Sequence, residues 1–121
     1  MPFAKREGKR LFGHTRWVFQ QDGATPHTAN ISQNWCTNNF HTFLDKNHWP
    51  PNSPDLNPLD YFYWNEVLKY IQIGSFTKHE EFKIKISEAC GRVELEKIQK
   101  SVDSFTSRVR NVENLKGNYL E

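Results

Sequence analysis

Four prolines fall within nine residues of the stretch WPPNSPDLNPLDYFYW (residues 49–64), and no other feature constrains this 121-residue chain as tightly. Pro50, Pro51, Pro54 and Pro58 each fix their own backbone and push the preceding residue toward extended conformations, so residues 45–58 read as a stiff, ordered loop. A stiff loop aims the next element of the chain. Here that element is an aromatic helix: Leu59, Phe62, Val67, Leu68 and Ile71 recur at helical spacing, and Tyr61, Tyr63 and Trp64 widen the apolar stripe. Gly74 with Ser75 is expected to end that helix. One carboxylate, Asp60, stands in its first turn.

Upstream, WVFQQ (residues 17–21) is rich in strand formers and is stopped by the turn dipeptide Asp22-Gly23. A helix is expected from Thr25 as N-cap, with Pro26 at the first helical position, through about Asn38. HTFL (residues 41–44) reads as a second strand, giving a strand-helix-strand unit. Downstream, a helix is expected from Thr77 as N-cap, with Glu80 completing a capping box, toward Cys90. A final helix runs from Leu95 to Leu115, with Ile98, Val102, Phe105, Val109 and Val112 spaced by three and four. Lys78, Lys83, Lys85 and Lys97 alternate with glutamates and suggest a solvated helix face. Trp49, Trp64, Tyr61 and Phe62 read as core residues before base-stacking platforms.

Composition supports one folded domain. Hydrophobic residues make up 36% and charged residues 25%, which argues against disorder, and the 14% aromatic content is high. The formal net charge of +2 is too small to announce nucleic-acid binding. Residues 1–16 nevertheless form a basic N-terminal arm, with Lys5, Arg6, Lys9, Arg10 and Arg16 against Glu7 alone. That arm is either a solvated helix end or a phosphate-contacting segment. Cys36 and Cys90 lack CxxC spacing, so a disulfide framework is not expected and both read as core residues. His41 and His48 come after Cys36 at a spacing that fits no zinc pattern. Neither a signal peptide nor an 18-residue apolar run is present, so no membrane partner is expected.

Two acids occupy pointed places: Asp22 at a strand exit and Asp60 at a helix start. Two-metal phosphodiester chemistry needs carboxylates from separate elements converging on Mg²⁺ or Mn²⁺, and these two positions can supply them. The ordinary alternative is equally concrete. Asp22 before Gly23 serves as a turn residue, and Asp60, three residues after Asn57, completes a capping arrangement at the positive helix end. Asp55 is a third acid, more simply a loop cap than a ligand.

FQQDGATPHTA together with WPPNSPDLNPLDYFYW resembles the C-terminal half of the catalytic domain of mariner-type transposases of the DDE/DDD superfamily. Carried over by that resemblance, Asp22 is the second acid of the triad and Asp60 the third. The 37 residues between them resemble the aspartate-ending branch. SFTSRVRNVENLKGNYLE resembles the family's closing helix, with Asn111 where a cysteine is common.

The resemblance implies an α/β, truncated ribonuclease-H-like fold over residues 17–121, holding the later strands and C-terminal helices with the first strands missing. It implies metal binding and catalysis at Asp22 and Asp60, with Mg²⁺ or Mn²⁺ as cofactor, and a metal or phosphate contact at His27. Asn57, with Ser53 and Pro58, would aim Asp60. Lys5, Arg6, Lys9 and Arg10 would contact DNA. The implied partners are DNA and a second copy or a full-length transposase, in the nucleus. In the intact family, water attacks a DNA phosphodiester and the freed 3′ hydroxyl is then transferred. No first acid is found upstream of WVFQQD, so the chain alone is expected not to cut DNA. The alternative is a non-catalytic, element-derived protein that pairs with a transposase or chromatin partner through an open sheet edge.

Overall fold

Strand pairing is confined to two short segments in the computed structural model, which describes residues 2–71 and 78–118. β1 (Phe19–Gln20) lies parallel to β2 (Phe43–Leu44), with Phe19 opposite Phe43 and Gln20 opposite Leu44. The strand-helix-strand order expected from the sequence is therefore present, but the strands are shorter than residues 17–21 and 41–44. Asp22 turns the chain away immediately after Gln21, and Trp17 is occupied by packing against a helix. Everything else regular among the described residues is helical, so the molecule is mostly helix with a small parallel sheet.

The chain divides into two compact units, one ending at Asn52 and one starting at Ser53. In the first, α1 (Pro2–Phe12) carries the basic stretch and buries Gly8. A Cβ at Gly8 would fall 2.1 Å from the Trp17 ring, so only glycine permits this approach. Gly13, at φ +56°, takes the left-handed turn that closes α1, with its N–H bonded to the Lys9 carbonyl at 2.9 Å. Phe40 is the centre of the aromatic core: its ring stacks on Phe19 at 4.1 Å and meets Trp17 and Trp35 edge-on at 5.5 and 5.8 Å. Cys36 is fully buried beside it in α3, and burial pushes its thiol pKa up.

The helix expected from Thr25 to Asn38 is two pieces, α2 (Thr25–Thr28) and α3 (Asn30–Asn39). Ala29 interrupts it at ψ 138°, and Ala24 stands at the N-cap, so Thr25 is the first helical residue rather than the cap. Such a short turn leaves its carbonyls without backbone donors. Side chains supply them: Thr28 Oγ1 bonds the Thr25 carbonyl, Ser32 Oγ that of Pro26, Gln33 Nε2 that of His27 and Lys46 Nζ that of Thr28.

The second unit begins with a 3₁₀ turn over Pro54–Leu56, whose Leu56 is buried. Asn57 then caps the aromatic helix, its Oδ1 accepting the Leu59 N–H at 3.1 Å. That helix opens as a π-helical stretch over Leu59–Tyr63, in which the Trp64 N–H reaches back five residues to Leu59, and continues as α4 (Trp64–Leu68). Its Val67, with Ile71, Ala89 and Val93, forms the buried aliphatic core of this unit.

α5 (His79–Arg92) starts with Lys78 at the N-cap, which places Glu80 at the second helical position. Thr77, the expected cap, and Gly74 with Ser75, the expected stop, lie outside the described residues. The single helix expected from Leu95 to Leu115 is broken at Ser104 into α6 (Leu95–Asp103) and α7 (Phe105–Asn114). The cause is side-chain competition for one carbonyl. The Ser101 carbonyl accepts hydroxyls from Tyr61 at 2.5 Å and Ser104 at 2.7 Å, and Ser107 in turn bonds the Ser104 carbonyl. Among the described residues no helix is long and apolar enough to cross a membrane.

Candidate functional site

Asp22 leaves β1 and at once accepts two hydrogen bonds on one oxygen. The Ala24 N–H reaches its Oδ1 at 3.0 Å, an Asx-type turn, and His27 Nδ1 reaches the same oxygen at 2.5 Å. These bonds, the Ala24 amide first and the imidazole second, hold the Asp22 carboxyl below its ordinary pKa. An ionised carboxylate can only accept, so His27 Nδ1 carries the proton. The carboxylate's other oxygen, Oδ2, has no hydrogen-bond partner among the described residues. The short α2 turn, tied off by its four side-chain donors, is what brings His27 back over Asp22.

Asp60 lies one turn into its helix, inside the π-helical stretch, with its backbone N–H bonded to the Asn57 carbonyl at 2.9 Å. Its side chain is exposed and makes no hydrogen bond or ion pair among the described residues. Asn57 thus does the capping while the Asp60 carboxylate is left to solvent. Asp22 belongs to the first unit and Asp60 to the second. Among the described residues, no group of three or more His, Cys, Asp and Glu side chains is placed to hold a metal ion.

The remaining candidates have local partners. Asp55 sits in the 3₁₀ turn, where its carbonyl accepts Arg108 Nη1 at 3.3 Å. His48 Nδ1 bonds Asp45 Oδ1 at 2.7 Å, which with the Asn47 N–H lowers the Asp45 pKa. His41 contacts the Thr42 hydroxyl. On α1, Arg10 and Arg6 both pair with Glu7, at 2.7 and 3.6 Å, whereas Lys5 reaches only the neutral Asn39 amide. One arrangement carries no sequence signal at all: Arg108 lies 3.8 Å over the Tyr61 ring, joining α7 to the helix that bears Asp60. The residues involved are 47 positions apart, beyond the reach of any spacing rule.

No protein-family model matches the chain. It is 28% identical over 102 residues to the transposable element Tcb1 transposase of Caenorhabditis briggsae, covering 84% of this chain and 36% of that protein. It is 30% identical over 97 residues to the transposable element Tc1 transposase of Caenorhabditis elegans, covering 79% and 34%. The chain thus spans just over a third of the length of these curated relatives. The crystal structure of the catalytic domain of Mos1 mariner transposase has the same fold at a TM-score of 0.77 and 23% identity, covering 97% of this chain and 56% of that one. The Mos1 mariner paired end complex with Mn gives 0.79 and 22%, covering 99% and 35%, and a Mos1 catalytic domain structure with raltegravir contains Mg. With two such transposases similar in sequence and the Mos1 domain similar in fold, this chain is a relative of the catalytic domain of Tc1/mariner transposases.

Proposed function

We propose that residues 17–121 are the later part of a Tc1/mariner-type, ribonuclease-H-like catalytic domain. In it, Asp22 and Asp60 are the metal-binding acids, for Mg²⁺ or Mn²⁺, of the domain's chemistry on DNA. The observation that carries this reading is the state of the two carboxylates. Asp22 is held ionised with one oxygen tied down and the other open, and Asp60 stands exposed on a helix whose capping is done by Asn57. Hard carboxylate oxygens suit Mg²⁺ and Mn²⁺. The Mn- and Mg-containing Mos1 structures support the choice of ion.

In this reading each neighbour has a task. His27 orients Asp22 by donating to its inner oxygen, as partners of ligating groups commonly do. Asn57 and the prolines before it start the helix in a fixed direction and so aim Asp60. When bound, the cation supplies charge neutralisation for attack on the phosphodiester. Two carboxylates fill only part of the roughly six oxygen positions that Mg²⁺ demands. The chain alone therefore binds the ion weakly and leaves DNA uncut. Its partners are DNA and a second copy or a full-length transposase, and its compartment is the nucleus.

Titration with Mn²⁺, monitored by electron paramagnetic resonance, tests both acids as ligands. Asp22→Asn and Asp60→Asn should each weaken binding about tenfold, roughly 1.4 kcal/mol. Unchanged binding in both variants would mean that the acids serve only as turn and helix-end residues. A supercoiled plasmid should stay closed with Mg²⁺ or Mn²⁺; nicking that disappears in Asp60→Asn would show that the chain is active without further acids.

A second reading is favoured by the sheet itself. Among the described residues β1 and β2 pair only with each other, and an extended segment of a transposase or chromatin protein would add a third strand. Such pairing should be nearly indifferent to salt, whereas DNA binding should fall steeply as salt rises.

A further inference from the structure

The basic residues of the first unit are not equivalent. Arg6 and Arg10 share Glu7, but Lys9 and Arg16 have no acidic partner among the described residues, and Lys5 has only an amide. These three unneutralised cations are the three that line one cavity of about 260 Å³. Lys5 and Lys9 lie one helical turn apart on α1, a like-charge arrangement that costs stability unless an anion relieves it. Gly13, in its left-handed conformation, ends α1 and turns the chain so that Arg16 comes back to the same cavity. Trp17 and Phe40 form its apolar wall, and no carboxylate lines it.

The open groove beside Tyr61 in the second unit makes the contrast. It too is lined by lysines, Lys97 and Lys100, but these are paired with Glu94 and Glu96. Both lysines there are neutralised within the protein and Arg108 lies over the Tyr61 ring, whereas in the first-unit cavity none of the three cations has an acidic partner among the described residues.

We propose that the first-unit cavity binds one nucleotide of a single DNA strand, its phosphate among Lys5, Lys9 and Arg16 and its sugar or base against Trp17 and Phe40. The apolar wall decides for a single strand: a duplex presents phosphate and sugar to such a cavity, whereas an unpaired nucleotide also presents the face of its base. Aromatic side chains beside cations are the usual means of holding unpaired nucleotides. The inference rests on the proposed function only in taking DNA as the ligand, and it involves neither Asp22 nor Asp60.

Fluorescence anisotropy of the full chain with a labelled oligothymidylate of about eight nucleotides and with a duplex of matching length tests it. The single strand should bind more tightly than the duplex. Lys9→Glu and Arg16→Glu should each weaken it about tenfold, and Lys9→Gln should reduce the slope of log K against log salt by about 0.7. Lys83→Glu, an equal change of charge on α5, should alter binding less than about threefold. Tighter duplex binding, equal losses in Lys83→Glu and Lys9→Glu, or no binding of the single strand would each overturn the proposal. Circular dichroism of Lys9→Gln guards against loss of fold, and a Mn²⁺ titration of the same variant separates this site from the acid pair. Retained Mn²⁺ binding with lost oligonucleotide binding supports the cavity. Retained oligonucleotide binding in Lys9→Gln and Arg16→Gln alike rejects it.

Discussion

Residues up to Asn52 gather aromatic rings around Phe40, whereas residues from Ser53 onward bury Val67, Ile71, Ala89 and Val93 between helices. The difference extends to the surface. Beyond the aliphatic core, lysines and glutamates pair at three- and four-residue spacing along α5 and α6, as in Lys83 with Glu80 and Lys100 with Glu96. In the aromatic unit, three cations are left without acids around a cavity. The helical unit pairs most of its lysines locally and leaves Asp60 exposed. The aromatic unit holds Asp22, His27 and the open cations, and reads as the part that meets something else.

Perturbing each core should show how independent the two units are. Phe40→Ala should have the largest effect, about 3–5 kcal/mol, because it removes a ring that touches three others. Hydrogen exchange should then accelerate in residues 2–52. If residues 53–118 lose protection equally, the two units fold as one. Val67→Ala, at a side chain only 2% exposed, should cost about 2 kcal/mol and act on the helical unit first. Gly8→Ala should cost about 1–3 kcal/mol through the collision with Trp17, read as a lowered urea midpoint. Gly23, where a Cβ meets nothing within 4 Å, supplies the control.

Smaller effects sharpen the contrast. Tyr61→Phe removes the hydroxyl from the Ser101 carbonyl and should cost about 1 kcal/mol, together with straightening of the α6–α7 junction measurable in its amide shifts. An unchanged junction would mean that the serine hydroxyls alone bend it. The smallest effect concerns Asp22. Its folded pKa is depressed, so its contribution to stability is fully present above the unfolded value of about 3.9 and is lost as pH falls through the lower folded value. The difference in urea midpoint between the wild type and Asp22→Asn should be constant above about pH 5 and vanish in stronger acid. The side chain is 43% exposed, so screening keeps the effect small and salt should reduce it further.

Much of the order of elements was legible because it depends on neighbours in the chain. The turn at Asp22-Gly23, the strand-helix-strand order and the aromatic helix after the prolines all arise from local backbone preferences. The breaks at Ala29 and Ser104 were not legible. At Ser104 the bend depends on Tyr61, forty positions from the Ser101 carbonyl that it bonds, and at α2 the carbonyls are completed by donors as distant as Lys46. The candidate site divides in the same way: Asp22, Asp60, His27 and Asn57 stand out in the sequence, whereas the Arg108 contact over Tyr61 does not.

Sequence alone determined the turn at Asp22-Gly23, the helices that start beside Pro26 and Pro58 and which acids stand at element ends, because proline, glycine and capping residues act within a turn of themselves. The helix over Pro2–Phe12, read there as a basic arm, was not among them. Tertiary structure decided which of the unpaired charges share a cavity. Lys5, Lys9 and Arg10 are equivalent as a string of basic residues. Helical spacing alone gives Arg10 its glutamate, one turn back on α1, but only the return of the chain after Gly13 brings Arg16, Trp17 and Phe40 to the cavity that the two lysines line.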